Sequence, residues 1–144
     1  MRKEIMNWDI CMKEHILKVS IDQDKINSIL KMCDIRLRFV QKQKIDDENP
    51  FIICEIYYEI IKELLIVMLL QNGLKSDNHE CLISFFRNNY PQYEYEVNII
   101  SQLKNIRNRI GYDAIFVTKD YILNNRLEFE HIIKLFVNLI TCRH

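Results

Sequence analysis

The sequence predicts an all-α protein, built as an up-and-down four-helix bundle with one or two extra short helices. Two observations carry this. The chain holds only 2 glycines and 2 prolines among 144 residues, which leaves few positions for hairpins or long loops. Its apolar residues recur at helical spacing through four long segments. At 49% hydrophobic and 28% charged it has the balance of a folded domain, and its length suits one core rather than two.

In order, residues 1–20 read as an N-terminal arm or short helix, and 21–144 as the bundle domain. Trp8, Met12 and Ile16 fall four apart and would lay one face on the body. Lys18-Val19-Ser20-Ile21 is too short to assign as a strand. Asp22 or Asp24 then offers an N-cap for a helix whose stripe is Ile26, Leu30, Cys33, Leu37 and Val40. Lys31, Arg38 and Lys42 share its outward face, either as a phosphate-tracking stripe or as an ordinary solvated surface.

After a turn at 45–50, Pro50 suits the first helical position, with Asn49 or Asp47 as cap and acids nearby to favour the helix dipole. The helix that follows, 51–72, is apolar nearly all round and ends at Gly73. It should be central, or an interface between two copies, since one bundle cannot easily cover it. Glu55, Glu59 and Glu63 repeat along its polar strip, for solvent, for i,i+4 pairs or, in the case of Glu63, for the Arg107 region below.

Ser76 or Asp77 caps a short helix around 81–86, with Glu80 placed for a capping box. His79 lies in its first turn, as a capping, packing or catalytic side chain. A further helix runs from about 94 to 110. The loop at 112–119 tucks Ile115, Phe116 and Val117 against the bundle. The last helix, 120–141, carries Leu127, Phe129, Ile132, Ile133, Phe136 and Ile140 at core spacing.

Composition excludes several function classes. Twenty basic and twenty acidic residues cancel, so nucleic-acid binding must come from a local patch. The longest apolar run, 64–70, is far short of a membrane helix, and the charged start carries no signal-peptide core. The five cysteines, Cys11, Cys33, Cys54, Cys81 and Cys142, are scattered with no Cys-x-x-Cys pair. They read as reduced, mostly buried thiols of a cytoplasmic protein, with no metal site and no cofactor.

Chemistry concentrates in 99–113, IISQLKNIRNRIGYD. Ile99, Leu103, Ile106 and Ile110 give the segment one buried stripe. Arg107, Asn108 and Arg109 crowd the last turn, and Gly111 should release the helix into Tyr112 and Asp113. A guanidinium forks onto phosphate and stays charged at any relevant pH. The same arginines could instead pair with Asp113 or Asp120 and lock the loop, leaving Asn108 to cap the helix.

These residues, with YYEIIKELL and GLKSDNHECLISFFRNNYP before them, resemble the HEPN superfamily, named for nucleotide binding in higher eukaryotes and prokaryotes. The likeness is to its small stand-alone members and covers roughly residues 22–140. It implies a four-helix bundle that forms a two-fold dimer. It also implies a composite site from two Arg-x4-6-His motifs, either cleaving RNA without metal or partnering a minimal nucleotidyltransferase in a toxin–antitoxin pair. Carried over, the arginine is Arg107 and its polar neighbour is Asn108. Four residues then intervene before position 112, which holds Tyr112 where the motif has histidine.

That exchange matters chemically. Cleavage needs a group that takes a proton from the 2′-hydroxyl near neutral pH, and histidine suits this. A phenol, with an ordinary pKa of about 10, is a weak base at pH 7 but still donates to phosphate oxygens. Three functions follow. The first is a dimeric module that binds RNA, a nucleotide or a nucleotidyltransferase through Arg107, Asn108, Arg109, Tyr112, Asp113 and Glu63, without turnover. The second is a ribonuclease toxin using Arg107, Asn108 and Tyr112; the third is a purely structural helical dimer.

Overall fold

The computed structural model describes residues 5–142 and is all-α. Its helices are α1 (Trp8–Glu14), α2 (Gln23–Gln41), α3 (Pro50–Gln71), α4 (His79–Asn89), α5 (Glu94–Asp113) and α6 (Lys119–Thr141). A 3₁₀ turn, Pro91–Tyr93, leads into α5. The sole sheet among the described residues is an antiparallel pair, β1 (Leu17–Lys18) with β2 (Leu74–Lys75), in register Leu17 to Lys75.

The arrangement follows from α3. It packs against α2, α4, α5 and α6, so neighbours occupy nearly every direction around it. That is why its sequence lacks a polar face. Ile53, Tyr57, Ile60, Ile61, Leu64, Leu65 and Leu69 are all within 2% of complete burial. Each such side chain contributes roughly 1.5–3 kcal/mol by leaving water. The expected central helix is therefore present, and its apolar excess is covered within one chain apart from a few residues such as Ile52. Exposed apolar side chains lie on α2, at Met32, Ile35 and Phe39, and also on α6, at Leu123, Leu127 and Val137.

Caps set the helix starts. Asp22 accepts from the Lys25 amide at 3.1 Å, and Thr118 accepts from the Tyr121 amide at 3.2 Å. Pro50 is the first residue of α3 as expected, but Asn49 gives it no side-chain cap and no acid occupies the first turn. The Asn49 side chain is spent on the preceding turn, accepting from the Asp46 amide and donating to the Lys44 carbonyl. For α4 the cap is Asn78, accepting from the Cys81 amide at 3.1 Å, and not Ser76 or Asp77. Ser76 accepts from the Asn78 amide and so shapes the approach. With the cap moved, Glu80 loses the capping-box position.

Four further readings are corrected. Gly111 does not end α5: the helix runs through it to Asp113 and stops at Ala114, which takes the left-handed conformation at φ 51°. Glycine permits a helix stop without forcing one. Gly73 does stop α3, at φ +69°, and an added Cβ there would press on the Val19 carbonyl at 3.1 Å. Its own carbonyl accepts from the Val19 amide, joining the β1 and β2 ends. In the first segment Trp8 and Ile16 pack partly buried against the core as expected, Ile16 from just beyond the helix, but Met12 is exposed and Cys11 is the buried residue of α1.

Leu127 is 77% exposed, because Ile122, Phe129, Ile132, Ile133, Phe136 and Ile140 already fill the inner stripe of α6. In the loop before it, Val117 alone is buried, while Phe116 meets only the edge of Phe51.

The cysteines also depart from expectation. Cys11 and Cys81 form a disulfide that ties α1 to α4, so the set is not uniformly reduced. Linear spacing hid the pair because the helices that align them are far apart in sequence. Cys33 and Cys54 are buried thiols as expected; burial pushes them up to about 11 and about 12. No helix among the described residues is long and apolar enough to cross a membrane. The first four residues of the 1–20 arm lie outside the described residues, as do the last two of 21–144.

Candidate functional site

The site grows from the C-terminal half of α5. Val97, Ile100 and Leu103 anchor that helix in the core, with Ile99, Ile106 and Ile110 partly buried beside them. This sets Lys104, Arg107 and Asn108 on the flank between α3 and the start of α4. Lys104 is itself buried, with Nζ 3.5 Å from Glu80 of α4.

Arg107 reaches α3. Its guanidinium lies over the Tyr58 ring, 5.8 Å from the centroid, a cation–π contact. It has no carboxylate within ion-pair distance among the described residues. The Tyr58 hydroxyl is in turn 3.0 Å from His79 Nδ1. One tyrosine of the central helix therefore carries an arginine on its face and an imidazole at its tip. Burial pushes the Tyr58 phenol well above its ordinary range against the opposing pull of Arg107, so it remains a neutral hydroxyl.

His79 is held below its ordinary value. Burial is the largest cause, followed by the positive charges of Lys62, Arg107 and Lys104, with Glu59 opposing. The ring borders a cleft of about 380 Å³ together with Asn78, Glu80, Lys104 and Asn108.

On the other side of Arg107 opens a groove of about 520 Å³ between α2 and α3. Ile35, Phe39, Ile52 and Ile56 make its apolar lining, and Arg36, Glu55 and Glu59 supply charge. Arg36 Nη1 is buried with no hydrogen-bond partner among the described residues. Lys62 sits between Glu59 at 2.8 Å and Glu63 at 3.6 Å. Burial alone would raise Glu59, but the Lys62 ammonium outweighs it and keeps the carboxyl ionised.

The residues singled out from the sequence thus divide. Arg107 and Asn108 belong to this flank. Glu63 pairs with Lys62 instead of facing Arg107. Arg109 and Asp113 make an exposed i,i+4 pair at 3.9 Å, as the ion-pair reading of these residues foresaw. Tyr112 is 87% exposed and lines neither cleft. Lys31 and Arg38 of α2 and Lys42, which follows its last residue, are exposed, with Arg38 held by Asp34 at 3.1 Å.

Sequence reasoning missed Tyr58, Lys104, Arg36 and Lys62, and left His79 undecided. Two signals were there to read: Lys104 lies one helical turn before Arg107, and Tyr58 is a polar-tipped aromatic inside the most apolar helix. Among the described residues no three His, Cys, Asp or Glu side chains group to hold a metal ion. No protein-family model matches this chain, and neither a curated protein nor a solved structure shows significant similarity to it.

Proposed function

We propose that the protein is a HEPN-like module that binds the phosphates of RNA or a nucleotide through Arg107. In this reading α2, α3, α5 and α6 form the up-and-down bundle, and two copies pair across the α2–α3 face. The observation that carries it is the state of Arg107: a half-buried guanidinium resting on an aromatic ring, with no acid among the described residues within ion-pair distance of it. Such a group is prepared for a phosphate, which it can grip with two parallel hydrogen bonds.

Pairing is supported by the α2–α3 face itself. Met32, Ile35, Phe39 and Ile52 expose apolar surface there, with Phe39 at 56%. The same face offers Arg36 and Glu55, so a two-fold axis can set each charge against its opposite in the second copy. Two Arg107 residues would then border one shared groove. The ribonuclease reading built on Tyr112 gains nothing from that residue's place in solvent.

The test is binding of a fluorescein-labelled single-stranded RNA pool, followed by polarisation, with the mass in solution measured in parallel. Wild type should bind as a particle of twice 17.5 kDa, and Arg107→Ala should lose about tenfold or more in affinity. An Arg107→Ala protein that binds RNA as well as wild type would overturn the reading. Failure of wild type to bind any RNA would turn attention to a minimal nucleotidyltransferase as the partner, or to a purely structural dimer.

A further inference from the structure

Three sulfur atoms meet where α1 docks on α4. Cys11 of α1 and Cys81 of α4 form the disulfide, and the Met6 thioether sulfur lies 3.7 Å from Cys81 Sγ. A disulfide sulfur has no proton to donate, so this contact is a sulfur–sulfur approach and not a hydrogen bond. Both cysteines are fully buried, while Met6 borders the open cleft of about 380 Å³ and leads from it to the other two sulfurs. The cysteines at 33, 54 and 142 stand apart as free thiols.

We propose that Met6, Cys11 and Cys81 form, in the reduced protein, a binding site for a soft monovalent cation, Cu(I), and that the disulfide is its oxidised, metal-free form. This is independent of the Arg107 reading. Opening the site takes two equivalents of a small thiol. The Cys11–Cys81 bond breaks, each sulfur gains a hydrogen, and the two reagent molecules leave joined as their own disulfide. Two electrons thereby pass to the protein. Cu(I) then displaces both thiol protons to solvent and bonds two thiolates and the Met6 thioether, with no change in its oxidation state.

Donor type and geometry choose this ion. Thiolates and a thioether are soft ligands, which favour Cu(I). Zinc would need a fourth donor, and among the described residues no three His, Cys, Asp or Glu side chains group to hold an ion. Metal–thiolate bonds are about 2.3 Å long, which sets three sulfurs around one ion about 4 Å from each other. The Met6–Cys81 spacing of 3.7 Å is already near that, and Cα atoms 5.5 Å apart leave the two cysteine sulfurs room to separate by side-chain rotation.

The surroundings suit the single negative charge of two thiolates around one Cu(I). Cys81 lies in the first turn of α4, where the helix dipole favours a thiolate. Arg87 Nη2 hangs over the same junction, 3.4 Å from the carbonyls of Ile5 and Met6. The nearby Glu80 carboxylate is matched by Lys104. With the disulfide opened, α1 is still held on α4 by Arg87 and by Trp8, whose ring meets Phe85 edge-on at 5.5 Å.

The test uses the full chain, reduced under argon, freed of reductant, and titrated with Cu(I) against a chromogenic Cu(I) chelator. A Cys142→Ser background removes the exposed free thiol. That protein should take one equivalent, with a thiolate-to-copper charge-transfer band and three sulfur neighbours by X-ray absorption. Adding Cys81→Ser should abolish the uptake. Adding Met6→Leu should leave two sulfurs on copper; losing a ligand should cost at least as much as losing a supporting residue, about 10–100-fold in affinity. The reduced, copper-free protein should keep its helical circular dichroism. No copper won from the chelator, a full equivalent retained by Cys81→Ser, or an unchanged affinity and sulfur count in Met6→Leu would each overturn the proposal. Loss of the helical signal on reduction would do so too, because the site needs α1 seated on α4 without the covalent bond.

Discussion

Arg107 and Arg109 stand two positions apart on one helix and live in different solvents. Arg107 turns toward α3 and rests on Tyr58, half-buried and with no acid among the described residues within ion-pair distance. Arg109 points outward to Asp113, in a pair whose side chains are 62% and 61% exposed. Water and salt screen the second charge heavily and the first much less. In the sequence the run Arg-Asn-Arg followed by Tyr112 looks like one dense cluster. In space the helix deals its members to two faces, and the inner face draws the remaining chemistry from α3 and α4.

The comparison can be broken first at its most strongly held point. Leu103 lies on the inner face and is fully buried, so Leu103→Ala should cost about 2–5 kcal/mol. Tyr112→Ala, one step past Gly111 on the solvent side, should stay within about 0.5 kcal/mol. Chemical denaturation of the two variants measures both, and equal losses would mean that Tyr112 is packed. The helix end comes next. Gly111 lies inside α5 with open space where a Cβ would go, so Gly111→Ala should stabilise by about 1 kcal/mol. A loss would restore glycine as the point where the helix stops. The smallest effect is the outer pair: a double-mutant cycle on Arg109 and Asp113 should give a coupling of only about 0.3–0.5 kcal/mol. A larger value would make this pair a lock on the following loop.

The fold was largely legible, because helical periodicity and the all-round apolar character of α3 are properties of neighbouring residues. The starts of α2, α3 and α6 were legible for the same local reason. The stop of α5 was not: Ala114 takes a left-handed conformation that its side chain disfavours, so no residue type announces it. The exposure of Leu127 was hidden because a stripe of apolar residues does not say how wide the covered face is. Of the site, Arg107 and Asn108 could be found from one segment. Its complement, Tyr58 and His79, depends on how α3, α4 and α5 meet, and no spacing within a single helix encodes that. The disulfide was missed on the same ground.

That disulfide also changes what kind of object the chain is. Cys11 and Cys81, 70 positions apart, close a covalent ring that threads through α2 and α3 before returning to α4. In the chain-entropy picture a ring of this size limits the unfolded ensemble by about 4 kcal/mol. It also makes continuity redundant over that stretch. A single peptide cut between the α2 and α3 helices would leave one molecule of unchanged mass but for a water, its halves parted only by a thiol reductant. The central helix would then be tied covalently through its C-terminal end alone, where the chain runs on to Cys81 and the bond back to α1.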